Sequence, residues 1–378
     1  MTGHAEDPVT GHAEDPVTGH AEDPVTGHAA AHAARLLTVS DLHSYLATGQ
    51  GVVRAVDGVS FTLDEGEILG VVGESGCGKT VTCRTIVGLM PPGTTHTSGE
   101  VIYHPRGGRN ILTLRPAELQ SLRGADLAMI FQDPMTALNP VRSIGDQLLE
   151  AVNAHASLSR RQARSQAVTL LERVGIPAPA RRMRDYPFQF SGGMLQRALI
   201  AIALASSPRL LLADEPTTSL DVIIQDQILS LLMELQQDTG MSMILVSHDL
   251  AVITEVCDRI IVMYAGQVVE QGDAATIITS PRHPYTRALL DALPQAGQRG
   301  QLRSISGSPP SLIEIPAGCR FAPRCQLATA DCLTWDTELI ETSGPAHLAR
   351  CWRHHEVGRS KACQADQETP SAPSRPAS

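Results

Sequence analysis

The sequence predicts an α/β layer fold on a largely parallel sheet, with an inserted helical subdomain and a small cysteine-containing C-terminal domain. Three observations carry that expectation. From Leu36 onward, short apolar runs alternate with amphipathic stretches, as strands alternating with helices do. Between Gln132 and Phe190 the period turns mainly helical. The run Gly73-Glu74-Ser75-Gly76-Cys77-Gly78-Lys79-Thr80 fits G-x-x-x-x-G-K-[ST] and lies between an apolar strand and a helix.

Taken in order, the chain opens with three copies of T-G-H-A-E-D-P-V, whose largest apolar residue is Val, so residues 1–34 are expected to form an unpacked tail. Ile68 to Val72 reads as a buried strand and Thr80 to Leu89 as a helix. The helical insertion contains Ser143 to Val152 and Ser159 to Val174. Leu210 to Ala213 and Met243 to Val246 are further buried strands, and Arg259 to Gln271 reads as a hairpin turning at Ala265-Gly266. Near 280 the composition shifts toward Pro, Arg and Cys. The expected organisation is therefore an α/β domain over 35–279, a C-terminal domain over 280–355 and a second solvated tail over 356–378.

At 378 residues and 42% apolar, the chain can bury a sizeable core. The net charge is −10, but the opening repeats supply six acids and no Lys or Arg, so the remainder is only mildly acidic and no nucleic-acid partner is expected. No apolar run approaches the ~18 to 20 residues that span a bilayer, and the start lacks a basic region followed by an apolar stretch. A cytoplasmic location is expected.

The glycines of residues 73–78 let backbone N–H groups wrap closely around phosphates at a helix N-terminus. Lys79 then reaches the β- and γ-phosphates of ATP, and Thr80 a magnesium ion. Leu210 to Glu215 is a strand ending in two acids. Side chains alternate along it, so the two carboxylates take different jobs: Asp214 in the magnesium shell, Glu215 polarising the attacking water. Alone, two solvated acids at a strand end would be ordinary. Cys77 reads as a small residue that fits the loop; a helix N-terminus beside it would lower its thiol pKa and make alkylation block ATP binding.

Phe190-Ser191-Gly192-Gly193-Met194-Leu195-Gln196-Arg197 resembles the signature motif of ABC ATPases, although Met194 departs from the Gln usual there. Gln132 resembles that family's Q-loop, Ser219-Leu220-Asp221 its D-loop and Ser247-His248-Asp249 its switch histidine. The resemblance implies a P-loop cassette with a RecA-like core, an antiparallel β-subdomain and a helical subdomain. It also implies roles. Ser191, Gly192, Gly193 and Asp221 would meet the ATP held by a second cassette, Gln132 would sense the γ-phosphate and contribute to the magnesium site, and His248 would hold the γ-phosphate and water. Tyr45 is the one aromatic near the expected adenine-stacking position in the first strand, where alternation points closer to Leu46.

Phe131 to Pro140, Tyr186 to Arg197 and His283 to Leu290 narrow the likeness, over roughly 36–352, to ATP-binding subunits of dipeptide, oligopeptide and nickel importers. Rivals that organise DNA need long coiled coils between loop and signature, translation-type relatives need two cassettes in one chain, and an exporter subunit fits the C-terminal region less well. The importer likeness implies a second ATPase chain, two permease subunits, an extracytoplasmic substrate-binding protein acting indirectly, and a peripheral position on the cytoplasmic face of the membrane. Cys319, Cys325, Cys332 and Cys351 sit in a loop-rich stretch suited to an iron–sulfur cluster or zinc, with unligated thiols also open. No pair has C-x-x-C spacing. Some importer relatives carry a 4Fe-4S cluster at the corresponding cysteines, and the resemblance therefore favours the cluster. The likeness implies an ATPase that energises import of dipeptides or oligopeptides, with the same role for nickel or another small solute as the alternative.

Overall fold

A computed structural model describes residues 34–218, 220–293, 305–334, 338–342, 344 and 346–357. Apart from Ala34, Glu356 and Val357, the two expected tails lie outside these residues, as do Ser219 and Cys363.

Two long strands come first, β1 Arg35–Thr48 and β2 Gly51–Asp64, antiparallel to each other. The apolar β3 Ile68–Val72 is buried at every position, and helix Lys79–Ile86 follows it. Next come β4 Thr95–Tyr103, β5 Arg109–Asn110 and β6 Leu127–Ile130. The chain then enters helices Pro134–Ala137, Ile144–Asn153, Arg160–Arg173 and Pro179–Arg182, and the signature helix Gly192–Ala203. Ser143 and Ser159 start the second and third of these by accepting backbone N–H groups, which satisfies donors that a helix start leaves open. Helical insertion over 132–190 is what the period predicts.

The remaining strands are β7 Leu210–Asp214, β8 Ser242–Ser247, β9 Arg259–Tyr264, β10 Gln267–Asp273, β11 Ile340–Glu341 and β12 Leu348–Ala349. Two sheets result, ordered β2-β1-β4-β5 and β11-β12-β10-β9-β3-β8-β7-β6. From β6 to β9 the larger sheet is parallel; β10, β12 and β11 extend it antiparallel. The hairpin turns where the sequence places it, with Ala265 at φ 47° and Gly266 at 86°, the two positive φ values that a two-residue turn of matching twist requires.

One apolar cluster, including Leu69, Ile86 and Ile244, packs the antiparallel sheet against the larger one. The other joins the far face of that sheet to the helical insertion through residues such as Leu148, Leu171 and Ile200. The described residues form one compact unit, and the segment after 279 is tied to the larger sheet through β11 and β12. No helix among the described residues is long and apolar enough to cross a membrane.

Candidate nucleotide site

Four of the sequence motifs leave the C-terminal ends of neighbouring parallel strands: the glycine loop after β3, Gln132 after β6, Asp214 and Glu215 at β7, and His248 after β8. Parallel α/β sheets place ligands at this edge because loops and helix N-termini converge there.

Within the loop, Gly78 stands at φ 107°, and a Cβ there would lie 2.1 Å from the Ala55 carbonyl oxygen, so only glycine fits against β2. Ser75 and Gly76 form an exposed tip, whereas Gly73, Cys77 and Lys79 are buried. Lys79 Nζ donates to the carbonyls of Gly73 (2.7 Å) and Glu74 (3.2 Å) and lies 3.7 Å from Glu215 Oε1. Thr80 Oγ1 donates to Asp214 Oδ1 at 2.9 Å, while Asp214 Oδ2 is buried with no hydrogen-bond partner. Burial raises the Asp214 pKa, and the neighbouring Glu215 charge adds to the rise against the Thr80 hydrogen bond. A hydroxyl beside an orphaned carboxylate oxygen is a donor set that suits a hard divalent cation such as Mg²⁺.

Glu215 is the hub. Its Oε2 accepts from Gln132 Nε2 at 3.0 Å and Thr218 Oγ1 at 2.9 Å, and lies 3.4 Å from His248 Nδ1. Its backbone adopts φ 47°, left-handed for a non-glycine residue, and its N–H is pinned to the Val246 carbonyl of β8 at 3.0 Å. Such a conformation costs about 1–2 kcal/mol and persists where surrounding contacts impose it. Its effect is to turn the acid off the strand axis toward Gln132 and His248.

The other expected residues lie apart from this hub. Ser191 is exposed and caps the signature helix by accepting the Met194 N–H at 3.4 Å, with Gly192 exposed beside it. Gly193 packs so closely that a Cβ would meet Ile224 at 2.8 Å. Asp221, also exposed, caps helix Val222–Thr239 through the Ile224 N–H at 3.0 Å. Tyr45 donates its hydroxyl to Asp57 and has the Arg54 guanidinium 5.8 Å from its ring centroid; burial and Asp57 push its pKa up to about 12.

Two expectations need correction. Cys77 does not carry a lowered pKa: burial pushes its thiol up, outweighing the nearby Lys79 charge, and helix Lys79–Ile86 begins beyond it. Cys319, Cys325, Cys332 and Cys351 do line one small cavity, of about 20 Å³. Yet among the described residues no three His, Cys, Asp or Glu side chains gather as a group that could hold a metal ion, so the expected ligand cage is not formed. Burial raises Cys325 to about 11 and Cys351 to about 12. At Cys332, hydrogen bonds from Thr329 outweigh burial and bring the thiol down.

Sequence reasoning missed two ion pairs beside the loop, Arg324 with Glu74 and Arg320 with Asp57. Arg324 reaches Glu74 at 2.6 Å, and Arg320 reaches Asp57. The signal available was the pair of arginines just inside Cys319 and Cys325.

Residues 56–218 match the family described as ABC transporter, and residues 269–332 that described as oligopeptide/dipeptide transporter, C-terminal region. A probable peptide ABC transporter ATP-binding protein of Sinorhizobium fredii is 48% identical over 325 residues, covering 85% of this chain and 96% of the relative. A dipeptide transport ATP-binding protein of Bacillus subtilis is 46% identical over 321 residues, covering 84% and 94%. Among solved structures, a dimeric ATP-binding cassette in a post-hydrolysis state, bound to ADP and Pi, aligns with TM-score 0.57 and 26% identity over 63% of this chain and 99% of its own.

Proposed function

This chain belongs to the ABC transporter family, among its peptide-transport ATP-binding proteins, and from that premise we propose that it hydrolyses ATP to energise peptide import. The observation that carries the reading is the meeting of Lys79, Thr80, Gln132, Asp214 and His248 around Glu215.

In our reading residues 73–80 cradle the phosphates, with Lys79 turning from its carbonyl partners to the β- and γ-phosphates. Thr80, Asp214 and Gln132 would hold magnesium, which when bound neutralises charge developing on the phosphates. Glu215 takes up the proton of the attacking water, and His248 fixes the water and the γ-phosphate. Ser191, Gly192, Gly193 and Asp221 serve the ATP of a second cassette, and Tyr45 stacks on adenine. Closure of two cassettes then moves rigid bodies coupled to two permease subunits at the cytoplasmic face of the membrane, with a substrate-binding protein delivering peptide outside. We assign 35–279 to the cassette and 280–355 to the C-terminal region.

The importer reading is tested in a strain lacking this chain: peptide uptake is expected to fall while nickel uptake persists. The reverse pattern would transfer the role to nickel.

A further inference from the structure

An anion-binding loop with a glutamate in it poses a problem that charge alone makes visible. Glu74 sits second in the loop, and a free carboxylate there would repel a triphosphate. Arg324, from the segment between Cys319 and Cys325, meets it with both arms of its guanidinium, at 2.6 and 2.9 Å. The arginine side chain is only 4% exposed and Glu74 25%. Its other donors go to Tyr264 Oη (3.2 Å) and to the carbonyls of Ser306 (3.0 Å) and Ile305 (3.4 Å), so all five N–H groups have acceptors. The Tyr264 and Phe321 rings flank the guanidinium at 5.8 and 6.0 Å. From the other side, the Glu74 N–H is held by Tyr285 Oη at 2.8 Å.

A second strut leaves the same segment. Arg320 donates to the Ala265 carbonyl and to Asp57, at the hairpin turn whose Gly266 N–H donates to the Cys77 carbonyl at 2.9 Å. Both contacts bear on the phosphate loop from a part of the chain more than two hundred residues away.

We propose that the segment between Cys319 and Cys325 braces the phosphate loop and that Arg324 is its positioning residue, neutralising and fixing Glu74 so that the loop accepts a triphosphate. This rests on residues 73–80 being the ATP site. The arginine acts through Glu74 and its removal strands a partly buried carboxylate. Arg324→Gln in the full-length chain should therefore weaken MgATP binding about tenfold or more. Adding Glu74→Gln should recover most of that loss, because the unpaired charge is gone. Arg324→Lys, which keeps the charge but not the two-armed contact, should fall between. A purely structural role for Arg324 would not be rescued by a second change at Glu74.

The measurement is a calorimetric titration of each purified chain with MgATP, with Lys79→Ala as reference. Affinity of Arg324→Gln within about twofold of wild type, or a double variant as weak as the single one, overturns the proposal. Should Arg324→Gln fail to fold, wild-type affinity in Arg324→Lys overturns it equally. Binding that survives Lys79→Ala would instead remove the ATP site itself, a separate failure.

Discussion

Glu215 links the strained backbone to the proposed chemistry. Replacing it with Gln keeps the size and an acceptor for Gln132 and Thr218 but removes the base, so MgATP should still bind while hydrolysis falls about a hundredfold or more. Near-normal turnover in that variant would take the base role from Glu215. The thiols give a second residue-level test, since nucleophilicity follows the thiolate. In iron-free protein a thiol-alkylating reagent at neutral pH should label Cys332 before Cys77, because Cys77 is buried with a raised pKa and Cys332 is lowered. Early Cys77 labelling, read by peptide mass, would contradict the burial argument. The placement of Lys79, Thr80, Asp214 and Glu215 was legible because motif spacing plus a strand in front dictates where each side chain emerges, whereas His248 was found only through the family resemblance. Cys77 misled because a sequence shows that a helix follows but not that the thiol turns into the core.

Among elements, β3, β7, β8 and the hairpin were readable as apolar runs with turn residues between them, and the structure differs from those readings by a residue or so at the ends. In β1 simple alternation fails: Asp41 takes φ 47°, the pairing registers shift around it, and burial changes phase from Leu37 and Val39 to Leu42 and Ser44. Tyr45 consequently falls in phase with His43, and Leu46 with Ser44. A bulge at an acidic residue leaves little trace in a hydrophobic pattern. Helix Pro284–Ala292 offers an element-scale prediction. His283 caps it with Nδ1 accepting the Tyr285 N–H at 3.1 Å, and burial, then the Arg350 charge, lower its pKa to about 3. Since the folded value lies below the ordinary 6.5, the unfolded chain binds the proton first as pH falls. The stability this group supplies is complete above about 6.5 and declines from there toward about 3. His283→Asn keeps a capping acceptor without titrating. Its stability deficit, measured by urea unfolding, should shrink by on the order of 2 kcal/mol between about pH 7.5 and about pH 5. A deficit independent of pH would mean that His283 is not held neutral.

For the whole molecule, the C-terminal segment was foreseen by composition but not its attachment. Arg320, Arg324, His347 and Arg350 bind it to residues 57, 74, 270 and 268, pairings between partners far apart in sequence that no local pattern encodes. The second gap concerns assembly. The phosphate loop and the hub around Glu215 share one sheet edge, whereas Ser191 and Gly192 expose a helix start at which the Ser191 hydroxyl accepts the Met194 N–H. A helix N-terminus presents free N–H groups and partial positive charge, both suited to phosphate. If that end seals the nucleotide of another cassette, a bulky cation there should spare the first half of the site and ruin the second. Ser191→Arg is expected to bind MgATP as wild type does when alone, yet to lose ATP-driven association with a Glu215→Gln cassette, which binds without turnover and so accumulates as the closed pair. Light scattering with and without MgATP reads the association, and titration reads the binding. Association that survives Ser191→Arg would detach the signature from the composite site, and loss of binding by the isolated chain would place Ser191 in its own site instead.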